Sequence, residues 1–583
     1  MKRLLTHPII VAHILLIIHL AIFLLVTIHP YRISPPYRSP VMLRGHLVYT
    51  SLIRQAKEGA WTVQIPHTTR ESPQVYAHLF FVFLGKVASV LAIDPPIMYM
   101  MARVGAAILL TWATLFFAIT ILPKATQTLA ILFVLGLETG PNLLSLGKGL
   151  WNIQPSIFSY YSQVVSYRHF GLPHHTTGEA VGILFLTFFY LTYQKPTARR
   201  ILAVALTALL GTTILPPYML VLFMTVLPIW GIHAVLNHKV KEYALGIMAS
   251  IPVVTGMAVF MKMEFAKGIP WKDFNQVEKT WVTNFDALIN YISSLLLFYP
   301  GIIMLLLSEI IKTGLTHTVI ARIACPERSR MGGDLLYKIT APNEWLAMTK
   351  NCFMFIKRNS NNSILIMLLM TSMMLMPLVL LPLTKYAWFP LANFRIMDGY
   401  TYFPAGILAA IGLSSLLANI SSQKMKKTIL LLSLGILYLT SFLLTSLYTR
   451  QTLEEQKSIW TNVYPLKDEC NAIAYLDTLP KNSGVMVMNY FGEIIPEYAH
   501  VRSFLGSTPA YPDWNERYWL GVSLYTGKLS DKEAKKILKD NNIEYIFQGS
   551  DEKKYLQTEE FYPNLLTPIF SSPGAVVYNI KRD

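Results

Sequence analysis

The stretch PIIVAHILLIIHLAIFLLVTIH, residues 8–29, is apolar over the length that a membrane helix needs, about 20 residues. It follows Lys2 and Arg3 and has no small-residue cleavage site behind it. We therefore expect a retained membrane anchor rather than a cleaved signal peptide. Because basic residues collect on the cytoplasmic side of membrane proteins, the N-terminus is predicted to be cytoplasmic.

The rest of the chain has the same character. Of its 583 residues, 53% are hydrophobic and only 14% are charged, which excludes an ordinary soluble protein of this size. Basic cytoplasmic loops explain the formal net charge of +17, so no nucleic-acid partner is expected. The sequence predicts a mostly α, polytopic membrane helix bundle in the cell inner or plasma membrane.

Short basic breaks predict the side of the membrane on which each loop lies. If all of them are cytoplasmic, the chain has about eleven membrane-spanning helices. The breaks are Lys124, 194–200, 237–243, 312–358 and 424–427. The predicted spans are 8–29, 98–122, 125–139, 177–193, 200–215, 217–236, 243–261, 287–311, 363–384, 400–419 and 428–449.

The same assignment predicts the outer segments. Residues 75–93 are apolar enough to span, but counting them would put four basic breaks on the wrong side, so we expect a helix in the outer interface. The Pro-Pro break in ILPPY, residues 214–218, permits two short helices joined outside. The outer segments are 30–97, 140–176, 262–286, 385–399 and everything after Arg450.

Two sections depart from the membrane domain, which is predicted to cover 1–449. Residues 312–362 form a polar cytoplasmic insertion containing ACPERSRMGG, which we expect to be a peripheral loop without catalytic residues. Residues 450–583 alternate short helical and strand-like patterns and predict a small extracytoplasmic α/β domain. Cys470 is the cysteine of this domain, so no disulfide is expected there, and an external thiol reagent should reach it.

The stretch SYRHFGLPHHTTGEA, residues 166–180, places many titratable groups between two apolar regions. Pro173 is expected in the first turn of a helix, with the N–H groups of residues 174–176 directed outward as an anion site. We predict a phosphate or pyrophosphate site at the membrane surface; hydrogen-bonded histidines without a ligand are the alternative. No third ligand recurs at a fixed spacing, so no metal site is predicted. The added donors are His174, His175, Arg168 and His169.

Two other segments carry candidate binding residues. Arg395, in ANFRIMDGY, is a second phosphate candidate because its planar fork suits phosphate oxygens; the alternative is an ion pair with Asp398. In the first outer loop, apolar residues from Leu47 to Ala56 recur at near-helical spacing. This helix is either a structural interfacial helix or one that contacts a substrate. Its candidate contacts are Tyr49, Arg54 and Gln55.

The order of these parts resembles the GT-C fold membrane glycosyltransferases of bacterial type. The similar segments are YTSLIRQAKEGAW (49–61), HTTRESP (67–73), FGLPHHTTGEAVGILFL (170–186), the LPPY break, NFRIMDGY (393–400) and the tail. This resemblance implies an enzyme that takes a sugar from a polyprenyl-phosphate donor at the outer membrane face. It also implies an acidic catalytic residue in the first outer loop.

One position departs from the family pattern. Members usually have an aspartate four residues before the tyrosine that aligns with Tyr49, and here that position is Gly45. An active enzyme must therefore take its base from elsewhere. Glu71, in the segment that matches the family's Thr-x-Glu, is ranked first, and Glu138 second. The remaining candidates are Glu179 and His46.

The sequence thus predicts an inverting glycosyltransferase whose partners are a polyprenyl-phosphate-linked sugar, the bilayer, and an acceptor that is a glycan, a lipid or a protein. No cofactor is predicted, and a divalent cation has no support in the sequence. One alternative is a transporter or flippase of lipid-linked substrates, but no half-to-half repeat is visible. The other alternative is an inactive relative that binds a lipid-linked glycan, which Gly45 makes credible.

Overall fold

A computed structural model describes residues 7–31, 47–70, 72–138, 165–272, 283–312, 362–386, 391–397, 402–463, 466–506 and 513–581. Gly45, at the position of the family's aspartate, and the candidate bases His46 and Glu71 lie outside these ranges. So does Asp398, the alternative partner of Arg395. The predicted insertion, with Cys325 and Cys352, also lies outside them except at its two ends.

Helices make up most of the described chain, and each predicted span falls on a helix or a helix pair. Before the insertion these are α1 (Pro8–Tyr31), α2 (Leu47–Lys57), α3 (Leu79–Val90), α4 (Pro95–Ile121), α5 (Lys124–Gly136), α6 (Val165–Phe170), α7 (Pro173–Gln194), α8 (Ala198–Ile214), α9 (Pro216–Leu236), α10 (Val240–Phe265), α11 (Asn284–Ser294) and α12 (Tyr299–Lys312). After it come α13 (Asn362–Leu380), α14 (Asn393–Met397), α15 (Tyr402–Ala418) and α16 (Gln423–Val463).

The apolar helices identify a membrane protein. Among the described residues, five helices are long and apolar enough to cross a membrane, and the bent pair α11 and α12 is a sixth candidate. Other apolar helices are shorter, such as α5 with 13 residues and α15 with 17. The larger count of about eleven spans therefore stays a prediction.

Two element boundaries differ from the sequence prediction. Residues 287–311 are not one straight helix, because the chain bends by 74° between α11 and α12. Pro300 explains the break because proline has no N–H for the preceding turn and is favoured at the start of a helix. At the other end, α16 continues past Arg450 to Val463. Residues 451–463 contain no glycine or proline, and Pro465 is the first residue that opposes the helix.

The segment predicted to lie in the interface forms α3. This helix has 12 residues. At 1.5 Å per residue it is about 18 Å long, which is shorter than the hydrocarbon core of about 30 Å. It packs mainly against α2, and both belong to one apolar cluster with Trp271. The described part of the predicted first outer loop is therefore a small packed layer at one end of the bundle.

Close helix contacts hold the bundle together. Gly412 on α15 faces Gly301 on α12, where a side-chain Cβ at position 412 would lie 2.0 Å from the Gly301 carbonyl oxygen. No residue larger than glycine fits there without moving a backbone. Small residues at such crossings let membrane helices approach closely and gain van der Waals contact.

The C-terminal domain contains a mixed sheet, which in the described residues has five strands in the order β2-β1-β3-β5-β4. The strands are β1 (Gly484–Met486), β2 (Arg502–Ser503), β3 (Tyr545–Gln548), β4 (Leu566–Ser571) and β5 (Val576–Ile580). The helices are α17 (Lys467–Leu476), α18 (Asn489–Tyr498), α19 (Trp514–Tyr525), α20 (Asp531–Asp540) and α21 (Ser550–Lys553). The predicted alternation of short helices and strands is confirmed among the described residues.

Cys470 corrects one expectation. The thiol lies on α17 with the residue only 2% exposed, in the domain core. Burial raises its pKa to about 12. Because the thiolate is the reactive form, the expectation that an external thiol reagent reaches Cys470 in the folded protein is wrong.

Candidate functional site

The N-terminus of α7 is built as the sequence predicts, with one difference. Pro173 occupies the first turn. The N–H groups of His175 and Thr176, however, both donate to the carbonyl of Leu172, at 3.0 Å and 3.2 Å. The expectation that the N–H groups of residues 174–176 all point outward is therefore wrong, and an anion site here would depend mainly on side chains.

His174 and His175 are both buried at this helix start, and their rings lie 4.5 Å apart at the centroids. The His174 ring lies 4.8 Å from the ring of Tyr49 on α2 and 5.0 Å from that of Phe81 on α3. The first outer loop and α7 therefore meet at His174. Among the predicted residues, Tyr49 and the two histidines come together here.

His175 connects two further helices. Its Nδ1 lies 2.9 Å from the Tyr218 hydroxyl at the start of α9, and its Nε2 lies 3.4 Å from Nη1 of Arg395 on α14. A guanidinium can only donate, so Nε2 is the acceptor and Nδ1–H donates to Tyr218. His175 is thus a neutral imidazole that holds an arginine beside it.

His78 belongs to the same group, although the sequence analysis did not single it out. It precedes α3 in a left-handed conformation with φ 49°. Its ring lies 5.8 Å from the ring of Tyr49 and 5.8 Å from that of Trp271. Burial and the nearby charge of Arg395 lower the pKa of His78 to about 4. Together, His78, His174, His175, Tyr218 and Arg395 form what we call the histidine–arginine cluster.

Arg168 lies in a different environment. Its guanidinium is fully buried and donates to the carbonyls of Val134 and Leu137 at the end of α5, the latter at 3.2 Å. It also lies 3.9 Å above the ring of Tyr402, whose hydroxyl donates to the Glu179 carboxylate. These contacts join α6, which carries Arg168, to α5, α7 and α15. The phosphate role predicted for Arg168 is untested, but its described partners are groups of the protein.

Glu138 and His169 are packed in the same buried layer. The Glu138 backbone N–H donates to the Ser441 hydroxyl at 2.9 Å, and its carboxylate interacts electrostatically with Arg168. His169 stacks on His19 of α1, with ring centroids 4.3 Å apart. Both residues are fully buried.

Gln55 and Arg54, the two other residues of the first loop predicted to contact a substrate, form hydrogen bonds within the protein. Gln55 bridges the backbone of Gln64, donating to its carbonyl at 2.9 Å and accepting from its N–H at 3.0 Å. Arg54 donates to the carbonyl of Ala499 in the C-terminal domain at 2.8 Å. Their prediction as substrate contacts stays untested.

Described residues before and after Glu71 contact the C-terminal domain and Trp271. Arg70 pairs with Asp513 of the C-terminal domain at 2.8 Å. Two residues after Glu71, the carbonyl of Pro73 accepts a hydrogen bond from the Trp271 indole at 3.3 Å. Trp271 in turn contacts His78. Arg70 therefore contacts the C-terminal domain, and Pro73 contacts Trp271 beside the histidine–arginine cluster.

No group of three or more histidine, cysteine, aspartate or glutamate side chains within the described ranges has the geometry to hold a metal ion. The cluster contains neutral and cationic nitrogen donors with one hydroxyl, that of Tyr218. Such a set matches an anionic oxygen ligand better than a cation.

Comparison with solved structures identifies the fold. The apo oligosaccharyltransferase of Archaeoglobus fulgidus matches with a TM-score of 0.50 at 13% identity, covering 92% of this chain and 69% of that one. The same enzyme with zinc and sulfate matches with a TM-score of 0.49 at 13% identity, covering 97% and 73%. ArnT from Cupriavidus metallidurans bound to undecaprenyl phosphate matches with a TM-score of 0.44 at 12% identity, covering 96% of this chain and 97% of that one.

The match with the apo enzyme shows that the chain shares the GT-C fold, as the sequence resemblance predicted. No protein-family model and no curated protein matches the chain.

Proposed function

We propose that the protein transfers a sugar from a polyprenyl-phosphate donor to an acceptor at the outer face of the membrane. The observation that carries the proposal is the histidine–arginine cluster. Three helices and the residue that precedes a fourth, all far apart in the chain, bring an arginine, three histidines and a tyrosine to one end of the bundle. The fold, shared with an oligosaccharyltransferase, is compatible with glycosyl transfer but does not by itself establish it.

The chemistry of the cluster suits a lipid phosphate. Arg395 supplies a permanent positive charge, and its contact with His175 fixes the guanidinium. A phosphate entering beside it would form charge-assisted hydrogen bonds, and its negative charge would favour protonation of the neighbouring imidazoles. The same groups can stabilise the phosphate that departs when the sugar is transferred.

The acceptor must lose a proton during the transfer, so a base is needed. Of the predicted candidates, we propose Glu71, because its neighbours Arg70 and Pro73 connect the C-terminal domain with the cluster. Glu138 ranks second since its carboxylate lies near Arg168.

The glycine at position 45, where relatives usually have an aspartate, supports one other candidate function. In this alternative the protein binds a lipid-linked glycan without catalysing transfer. Both candidates predict donor binding, so the deciding experiment is transfer. Wild type and Gly45→Asp should be compared with a panel of undecaprenyl- and dolichyl-phosphate sugars in vesicles. Transfer by the wild type supports the enzyme. Donor binding without transfer in the wild type, with transfer gained in Gly45→Asp, would establish the inactive relative. Absence of donor binding would contradict both.

A further inference from the structure

Arg395 lies on a helix that is too short to hold its own position. Helix α14, Asn393–Met397, has five residues. Isolated helices shorter than about 12 residues are marginal in water, because nucleation costs more than a few hydrogen bonds return. The place of α14 at the end of the bundle therefore depends on contacts with other elements. One apolar contact and one polar contact supply it.

The apolar contact is made by Ile396, the residue after Arg395. Its side chain is 1% exposed and packs in one cluster with Val221 of α9, Leu380 and Leu391. Burial of apolar surface stabilises this contact, but the hydrophobic effect is not directional. It holds one side of α14 against the bundle and leaves the rotation of the short helix to be fixed by something else.

The polar contact joins two asparagines. Nδ2 of Asn393, the first residue of α14, donates to Oδ1 of Asn284, the first residue of α11, at 3.0 Å. The two residues are 109 positions apart in the chain, and Asn393 is only 3% exposed. A hydrogen bond constrains both distance and angle, so this one fixes where α14 begins relative to α11.

Asn284 is itself well anchored. Its Nδ2 donates to the carbonyl of Leu381 at 3.4 Å, in the single 3-10 turn that follows α13. The hydroxyl of Thr384 in the same turn lies 3.3 Å from Oδ1 of Asn284. The backbone of Asn284 belongs to α11, which the Thr283 side chain caps. The amide of Asn284 thus lies where α11, the turn after α13 and α14 meet.

Arg395 follows Asn393 by two residues within the same turn of helix. Its backbone N–H donates to the carbonyl of Ala392 at 3.1 Å, so the backbone from 392 to 395 moves as one turn. The guanidinium lies 3.4 Å from His175, which is already long for a hydrogen bond. A small outward shift of Asn393 is therefore enough to break the contact between Arg395 and His175.

We infer that Asn284 is a positioning residue for Arg395. Through Asn393 it holds α14 in the orientation that places the guanidinium beside His175 in the histidine–arginine cluster. The inference rests on the proposed function for its effect on donor binding. Asn284 and Asn393 both lie in segments predicted to be outside, 262–286 and 385–399, which is the face on which the donor is expected.

The test uses the full chain in lipid nanodiscs and undecaprenyl phosphate as the probe. Asn284→Ala should weaken binding by about two- to tenfold, the effect of losing one neutral hydrogen bond. Asn393→Ala should give a loss of similar size, and the double variant should lose little more, because each change removes the same bond. Unchanged affinity in Asn284→Ala, or fully additive losses in the double variant, would overturn the inference.

A second cycle distinguishes positioning of Arg395 from a general loss of stability. In an Arg395→Ala background, Asn284→Ala should cause no further loss of affinity, because no guanidinium is left to position. A merely structural role of Asn284 predicts the same loss in both backgrounds. That result would contradict the assignment of Asn284 to Arg395.

Tyr291→Phe is the matched control. Tyr291 lies on the same helix, α11, is 2% exposed and donates its hydroxyl to the carbonyl of Met374 on α13. The substitution also removes one buried hydrogen bond of α11, but that bond does not involve α14. We expect lower stability with unchanged donor affinity. A loss of donor affinity equal to that of Asn284→Ala would show that any weakening of α11 suffices, which would overturn the inference.

Hydrogen exchange of residues 391–397 without lipid tests the same contact independently of the proposed function. Asn284→Ala should speed this exchange, and Tyr291→Phe should not. Unchanged exchange in Asn284→Ala would overturn the inference even if the lipid binds. If the wild type binds no lipid phosphate while the exchange responds as expected, the proposed function fails and the anchoring of α14 by Asn284 is supported.

Discussion

His175 and Arg395 are separated by 220 residues in the chain, and yet Nη1 of Arg395 lies 3.4 Å from Nε2 of His175. The contact requires the helix start at Pro173 and the short helix α14 to lie at the same end of the bundle. It places a permanent positive charge beside a neutral imidazole. The pair therefore defines the point at which we expect the donor phosphate to bind.

Arg395→Ala should weaken binding of undecaprenyl phosphate by roughly ten- to hundredfold, because it removes a charge-assisted hydrogen bond worth about 1.5–3 kcal/mol. Arg395→Lys should give an intermediate loss, since it keeps the charge without the planar fork. Titration of the purified protein with the lipid measures both. Arg200→Ala is the control, because Arg200 binds the carbonyls of Leu191 and Lys195 at another helix end. Equal affinity in Arg395→Ala and Arg200→Ala would remove Arg395 from the site.

Tyr218→Phe should leave the His175 Nδ1–H without its acceptor. We expect a loss of about 1–3 kcal/mol in unfolding free energy, because a buried donor is left without a partner. Donor affinity should fall less than in Arg395→Ala, since the positive charge remains. Thermal unfolding and lipid titration on the same sample separate the two effects. An unchanged melting temperature would show that this hydrogen bond does not stabilise the protein.

Tyr402→Phe tests the buried layer around Arg168. The change removes the hydrogen bond to Glu179 but keeps the aromatic ring beneath the guanidinium. We expect a loss of about 1–3 kcal/mol in stability and no change in donor affinity. A large drop in donor affinity in a folded Tyr402→Phe variant would instead connect this layer, and Arg168, with the phosphate.

Local sequence signals were sufficient to predict features in which a residue affects the backbone of its own helix. Pro173 predicted the start of α7, and the Pro-Pro pair at 216–217 predicted the break between α8 and α9. Periodicity likewise predicted α2 and the main strands of the C-terminal domain. These features depend on backbone hydrogen bonding within a few residues, which is why composition and spacing reveal them.

Contacts between distant segments were not predictable in the same way. His78 precedes an apolar run like many interfacial residues, and only tertiary packing brings it near Arg395. Arg168 stands beside His169 and close to the pair His174 and His175 in the sequence, but its guanidinium donates to the carbonyls of Val134 and Leu137 at the end of α5, in the buried layer. Sequence neighbours on either side of a helix start can thus face different environments, and one sequence does not distinguish them.

The predicted orientation can be tested with introduced cysteines. Lys532, on exposed α20, is predicted to face outside, and Lys424, at the start of α16, is predicted to face the cytoplasm. A membrane-impermeant thiol reagent added to intact cells should label Lys532→Cys and not Lys424→Cys, while Cys470 stays protected by burial. Labelling of Lys424→Cys alone would reverse the orientation and place the proposed site on the cytoplasmic side.

Glu71→Gln tests the proposed base. The amide keeps the shape of the carboxylate but cannot accept the acceptor's proton, so transfer should fall by at least about a hundredfold while donor affinity changes little. In kinetic terms kcat falls and the KM for the donor is nearly constant, because the interaction matters only in the transition state. Glu138→Gln provides the comparison, since its carboxylate interacts with Arg168 in the buried layer and its substitution should act on stability first. Full transfer by Glu71→Gln together with loss of transfer in a stably folded Glu138→Gln would move the assignment to Glu138.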